Sequence, residues 1–427
     1  MKPKIFVTRR IPQAGLDLLE TCAQVDVWED PLPPSTEVLR RRVAGCHGIL
    51  SLLSDAIDQG VLDAAGPQLK GIANYAVGYN NIDVAQATQR GIQVGNTPDV
   101  LTEATADIAL LLMLGVARHV QAALDQVRRL EWKTWEPLGL MGQELRGKTL
   151  GVIGMGRIGQ AVARRCHGGW QMEVLYSSRQ DRGPIAGLES ARRVEVEELL
   201  RKSDFVTLHA DLNPSTRHLI NRERLSWMKP TAILINTARG GHVDQEALYD
   251  ALAQKNLWGA GLDVTDPEPL PSDSPLRKLE NCLILPHIGS ATYAARESMA
   301  RMAAENLIAA IAGKPMPLLR LGSQTPHPTL TQSAGSEHDG TNRRGGRIDD
   351  PPPDRTPAGF LGNLAPFRSV GDSAYQKRAG AGCGLLREAR AAHFPAAMLW
   401  MSWFEEPEVG PSIGFAVSRH AGRTDLR

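Results

Sequence analysis

The 427-residue chain is 42% hydrophobic and 22% charged, enough for two or three domains with sizeable cores. Its 48 basic and 47 acidic side chains leave a net charge of +1, which excludes a broad electrostatic footprint for nucleic acid or for an anionic membrane. Five scattered cysteines, Cys22, Cys46, Cys166, Cys282 and Cys383, form no C-x-x-C pair, so no metal site is expected and a cytoplasmic protein with reduced thiols is.

The N-terminus reads as a first strand over 5–8, without a long apolar signal region. Further short apolar strands are predicted at 24–28, 48–51, 71–74 and 93–95, with helical periodicity between most of them. A single long helix is predicted over 102–130, with Glu103 in its first turn. Its apolar run 108–117 is too short to span a bilayer. A second set of strands follows at 149–153, 173–176, 204–209, 232–236, 259–263 and 282–285, and a helix over 291–312 carries the chain back to the first set. Repeated strand–helix alternation predicts an α/β protein, with two Rossmann-like, doubly wound parallel-sheet domains and a cleft between them. The substrate domain is then discontinuous, residues 1–100 and 289–317, around a dinucleotide-binding domain over 101–288. Beyond 317 the composition changes abruptly. Residues 322–354 are rich in Ser, Thr, Pro, Gly and Arg, and the tail 318–427 reads as disordered, with a frameshift or read-through as one origin for it.

The strand at 149–153 runs into Gly154-Met155-Gly156-Arg157-Ile158-Gly159, and a helical run from 158 to 165 follows. In that context Gly154 permits the tight turn, Gly156 lets backbone approach a pyrophosphate, and Gly159 lets helix and strand pack closely. The helix N-terminus then faces the anion. Three chemistry-bearing side chains fall at or just beyond the carboxyl ends of consecutive later strands, where such sheets bind ligands: Arg239, Glu268 and His287. Together they suit hydride transfer to a ketone. Arginine matches a carboxylate with its fixed planar donors. Histidine, with an unperturbed pKa of about 6.5, protonates a developing alkoxide, and a carboxylate beside it favours its charged form.

The segments 75–83, 151–159, 236–241, 259–264, 266–270 and 285–292 closely resemble those of the D-isomer-specific 2-hydroxyacid dehydrogenases, and within them the glyoxylate/hydroxypyruvate reductases. The resemblance covers about residues 4–317. It implies that Arg239 binds the substrate carboxylate and carbonyl, that His287 is the general acid/base, and that Glu268 is its partner. It implies further that the N–H groups of Val77 and Gly78 hold the carboxylate and that Leu53 and Ser54 line the pocket. The cofactor would meet Thr105, the loop from Gly154 to Gly159, Ala238, Asp263 and Gly289. Trp135 would close the pocket of a partner subunit in a homodimer, or serve simply as dimer packing.

An NAD enzyme normally carries an acid at the end of the second strand of this domain. Here Ser178 and Arg179 stand there and Arg182 follows, so NADPH is the expected cofactor, with NADH also possible. Two departures from the family pattern stand out. Asp211 occupies a position where Pro or Ser is common, near the cofactor path, and Gln171 replaces a common Gly. The leading expectation is reduction of glyoxylate and hydroxypyruvate to glycolate and D-glycerate. The alternatives are a reductase of 2-ketogluconate or another 2-keto acid and, in a different class, a nucleotide-sensing corepressor or scaffold.

Overall fold

The structure, a computed structural model, describes residues 2–317 and the strand 319–321; the expectations for the remaining C-terminal segment lie outside the described residues. The first part of the chain alternates β1 (Lys4–Val7), α1 (Gln13–Cys22), β2 (Gln24–Val27), α2 (Thr36–Val43), β3 (Gly48–Ser51), α3 (Gln59–Ala65), β4 (Gly71–Asn74), α4 (Val84–Gln89) and β5 (Gln93–Gly95). Two helices follow, α5 (Thr102–Ala117) and α6 (Val120–Arg128). The second alternation runs β6 (Thr149–Ile153), α7 (Arg157–Trp170), β7 (Glu173–Ser177), β8 (Arg192–Arg193), α8 (Val196–Lys202), β9 (Phe205–Leu208), α9 (Arg222–Ser226), β10 (Ile233–Asn236), α10 (Gln245–Ala253), β11 (Gly259–Leu262) and β12 (Cys282–Ile284). It ends with α11 (Tyr293–Ile311) and β13 (Leu319–Leu321).

These strands form two sheets, ordered β13-β5-β4-β3-β1-β2 and β12-β11-β10-β9-β6-β7-β8. All pairings are parallel except the one between β13 and β5. Every residue of β3, β4, β9, β10 and β11 is buried, as expected of strands covered by helices on both faces. In the second sheet α5 packs on β10, β11 and β12 and against α7; in the first, α11 packs on β3, β4 and α1. Gly15 makes the last contact possible, since a Cβ there would lie 2.7 Å from the Ala300 carbonyl oxygen. Several helices start on side-chain caps: Asp58, Asp83, Asn221, Asp244 and Thr292 each accept from a backbone N–H in the first turn.

The structure departs from the predicted elements in three places. The helix over 102–130 is two helices, bent by 68° at a break where His119 takes φ 52°. The His119 ring rests against Trp258 there, with centroids 5.2 Å apart. Two edge strands, β8 and β13, have no counterpart in the prediction, and β13 extends the first sheet past residue 317. No single helix among the described residues is long and apolar enough to cross a membrane.

Candidate active site

In the second sheet β6 lies between β7 on one side and β9 on the other, so the connections leaving β6 and its neighbours diverge and open a crevice beyond the strand ends. The glycine-rich turn occupies that point. Gly154 has φ 98°, and a Cβ on it would lie 2.5 Å from the Ala210 nitrogen, so only glycine fits the turn against the end of β9. A Cβ on Gly159 would meet the Gly154 carbonyl oxygen at 2.3 Å, whereas nothing lies within 4 Å of the corresponding point on Gly156. Gly156 precedes α7 with no side-chain cap, so the first N–H groups of that helix point at the open space. Met155 is fully buried in the core and lines neither cavity, while Arg157 pairs with Asp99. Thr237, on the crevice wall, has a buried hydroxyl with no partner among the described residues. An open cradle of N–H groups beside an unclaimed hydroxyl fits a dinucleotide.

A cavity of about 370 Å³ continues from this crevice to the first sheet. From the first sheet's side it is lined by Leu53, Val77 and Gly78, and from the other side by Ala238, Arg239, Asp263, His287 and Gly289. Thr105, Ile158 and Arg179 also reach it. A second cavity of about 1090 Å³ adjoins it across Leu53, Asp263 and His287, and Ser54 and Glu268 lie on that side.

His287 follows β12 with φ 55°, a conformation that non-glycine residues rarely adopt. Its backbone is fixed there: the His287 N–H donates to the Asp263 carbonyl (2.9 Å), and the next two N–H groups, of Ile288 and Gly289, donate to the Asp263 carboxylate at 2.8 and 2.7 Å. Burial raises the Asp263 carboxyl, opposed by those two hydrogen bonds and by His287. The ring is fixed as well, with Nδ1 2.9 Å from Glu268 Oε2. Glu268 Oε1 accepts from the Thr265 N–H at 3.0 Å. Burial alone would raise the Glu268 carboxyl, but the hydrogen bond and charge of His287, the Thr265 N–H and Arg239 outweigh it and hold the group below its usual range. An ionised Glu268 makes Nδ1 the donor and leaves Nε2 toward the cavity.

Arg239 follows β10. Its Nε donates to Asn80 Oδ1 (3.1 Å) and its Nη1 to the Ala238 carbonyl (2.6 Å). Burial lowers the guanidinium's pKa, and the charges of Glu268 and Asp211 oppose that shift. The Val77 and Gly78 carbonyls are taken by Asn96 Nδ2 and Asn74 Nδ2, both at 2.7 Å, while their N–H groups make no hydrogen bond among the described residues. The Arg239 guanidinium lies directly on Gly78, where a Cβ would stand 1.9 Å from Nη2. Gly78→Ala therefore has to move Arg239. The expected result is a keto acid KM raised about tenfold or more with an unchanged dinucleotide affinity, measured by steady-state kinetics and calorimetry.

Other predicted residues lie apart from this cluster. Ser178 and Arg182 line neither cavity; Arg182 is in an exposed loop, and the Ser178 carbonyl accepts from Arg193. Of the two arginines expected at a 2′-phosphate, only Arg179 lines the cavity among the described residues. Trp135 is 80% exposed and also lines neither cavity. Gln171 ends α7 in the left-handed region at φ 55°, the turn that the usual glycine would make without strain. Two residues that sequence reasoning did not single out belong to the site. Asn80 orients Arg239, and Arg296 of α11 lines the main cavity, its guanidinium 5.9 Å from the centre of the Tyr75 ring and in no ion pair among the described residues.

The chain is similar to proteins of known family. The profile of the family described as D-isomer specific 2-hydroxyacid dehydrogenase, NAD binding domain, matches residues 110–289. A glyoxylate reductase of Korarchaeum cryptofilum is 51% identical over 313 residues, which are 72% of this chain and 93% of that one. The human glyoxylate reductase/hydroxypyruvate reductase is 46% identical over 316 residues, 74% of this chain and 96% of the human one. Among solved structures, an NADPH-dependent glyoxylate/hydroxypyruvate reductase of Sinorhizobium meliloti, in complex with NADP and malonate, superposes with a TM-score of 0.63. It is 32% identical, and the match covers 72% of this chain and 93% of that one.

Proposed function

The chain belongs to the D-isomer specific 2-hydroxyacid dehydrogenases, and from that premise we propose that it reduces glyoxylate to glycolate and hydroxypyruvate to D-glycerate. The observation that carries the reading is the convergence of Arg239, His287 and the unclaimed Val77 and Gly78 N–H groups on one cavity that opens into the glycine-rich crevice.

A dihydronicotinamide bound in that crevice supplies the hydride. Arg239 and the two N–H groups hold the carboxylate of the keto acid and turn its carbonyl toward His287. His287 delivers a proton from Nε2 to the carbonyl oxygen as negative charge develops there. Glu268 accepts from Nδ1 and keeps the ring oriented, with Nε2 free for the substrate. Asp263 holds the His287 turn through two N–H groups, and its carboxylate oxygens retain lone pairs for the cofactor's carboxamide. Closure of the two sheets on one another would exclude water from the transfer.

Arg179 at the crevice, together with the lack of an acid at the end of β7, supports a preference for NADPH over NADH. A homodimer is supported by the exposed apolar side chains of α5, α6 and the loop after them, among them Leu124, Val127, Leu130, Trp132, Trp135 and Leu138. Trp135 would close the partner's pocket from that surface. Cys22, Cys46, Cys166 and Cys282 are free thiols, consistent with a cytoplasmic setting. The adjoining cavity of about 1090 Å³ favours a second reading, in which a longer sugar-derived acid such as 2-ketogluconate is also reduced.

The test is consumption of NADPH by the purified protein with glyoxylate or hydroxypyruvate, run beside NADH and 2-ketogluconate. Rapid turnover of the small acids supports the first reading, and faster turnover of 2-ketogluconate the second. Dinucleotide binding without turnover of any of them would overturn both and leave a nucleotide sensor.

A further inference from the structure

Arg179 stands two residues beyond β7 and Asp211 three residues beyond β9, on strands that flank β6. The glycine-rich turn lies beneath them, with Gly154 packed on the His209–Ala210 backbone. Both side chains line the dinucleotide cavity, and Arg179 Nη2 lies 3.5 Å from Asp211 Oδ2. The pair thus bridges the crevice at the place where the adenosine ribose of a dinucleotide meets the end of the second strand. Both side chains are largely exposed, 81% and 70%, so neither is locked to the other. Arg239 also feels the Asp211 charge, but its guanidinium is committed to Asn80 and the Ala238 carbonyl; burial holds the His209 imidazole well below its ordinary value and therefore neutral, Arg217 pairs with Asp266, and Arg193 binds the Ser178 carbonyl.

We propose that Asp211 is a cofactor-selectivity residue whose carboxylate, held across the crevice from Arg179, opposes a 2′-phosphate and accepts a hydrogen bond from a ribose hydroxyl, so that the protein binds NADH as well as NADPH. The carboxylate missing from the end of β7 is thereby supplied from the end of β9. A 2′-phosphate has to draw Arg179 away from Asp211 and then sit beside a like charge. A 2′-hydroxyl has neither cost and gains an acceptor. The inference rests on the reading of the crevice as a dinucleotide site in which Arg179 receives the 2′-phosphate.

The experiment is calorimetric titration of NADPH and of NADH, without keto acid, into the wild-type protein, Asp211→Asn and Arg179→Ala. The loop around residue 211 is held through its backbone, with the Asp211 carbonyl accepting from Thr216 Oγ1 (2.7 Å) and Asn213 Nδ2 (3.3 Å), so the exchange leaves the turn intact. Asp211→Ser serves as a second variant without the charge. Removing the carboxylate is expected to raise the ratio of NADPH to NADH affinity by about five- to tenfold. The change shrinks as salt is added. Arg179→Ala is expected to lower the same ratio. If both Asp211 variants leave the ratio within about twofold of wild type while Arg179→Ala lowers it, the proposal is overturned and the NADPH reading stands. If neither residue moves the ratio, both fall. A raised ratio in the Asp211 variants with no effect of Arg179→Ala upholds direct repulsion by Asp211 and removes Arg179 from the phosphate site.

Discussion

His287→Ala is expected to lower kcat for glyoxylate reduction by about two to four orders of magnitude, with dinucleotide affinity unchanged. Among the described residues the ring is the one group at the cavity whose position, oriented nitrogen and partner all suit proton delivery, and its removal leaves the alkoxide to solvent. The companion variant, Glu268→Gln, tests the orientation of the ring. The amide still fills the space beside Nδ1, but it can donate as well as accept and no longer fixes one tautomer. In Glu268→Gln kcat is expected to fall about tenfold or more with dinucleotide affinity unchanged. A kcat within about twofold of wild type would remove Glu268 from the proton-transfer unit. The same carboxylate carries a stability signature. Its folded pKa lies below the ordinary value, so its contribution to folding is present at neutral pH and is lost as pH falls through the folded value.

Arg239→Lys is expected to cost about two orders of magnitude in kcat/KM for a 2-keto acid, the order of truncating one side of a buried, hydrogen-bonded charge pair. Lysine keeps the charge but loses the planar fork. It also loses the two bonds, to Asn80 and to the Ala238 carbonyl, that aim the fork at the cavity. The loss should appear mostly in KM, because the carboxylate is bound in the ground state as well as in the transition state. Kinetics with a saturating cofactor test this, and a fall confined to kcat would assign Arg239 to the carbonyl rather than to the carboxylate.

Much of this arrangement was readable before any coordinates. Strand alternation predicted both sheets, and the positions of Arg239, Glu268 and His287 put them at or beyond the carboxyl ends of consecutive strands of one sheet. Other parts were hidden for physical reasons. β8 is a pair of arginines at a sheet edge, with no apolar pattern to announce it. The bend at His119 carries no glycine or proline; the packing of its ring on Trp258 goes with a left-handed turn that local sequence does not signal. Arg296 sits in the first turn of α11 with no motif around it, and only the return of that helix brings it to the cavity. Asp211 was visible as a departure from the family pattern, but its partnership with Arg179 depends on two strands that are neighbours of β6 and not of each other.

The route of α11 also bears on how the chain is made. α1 lies near the beginning and packs against a helix that ends at Ile311, and β3 and β4 lean on the same helix. On a ribosome the first five strands emerge first, but the α11 layer that covers them is complete only 216 residues later, the distance from Gly95 to Ile311. The second sheet, with α5 and α7 against it, closes from consecutive sequence and can be complete earlier. The part of the protein that starts last is therefore expected to finish first, and during that interval the bare apolar face of α1 is the surface a nascent-chain chaperone would meet.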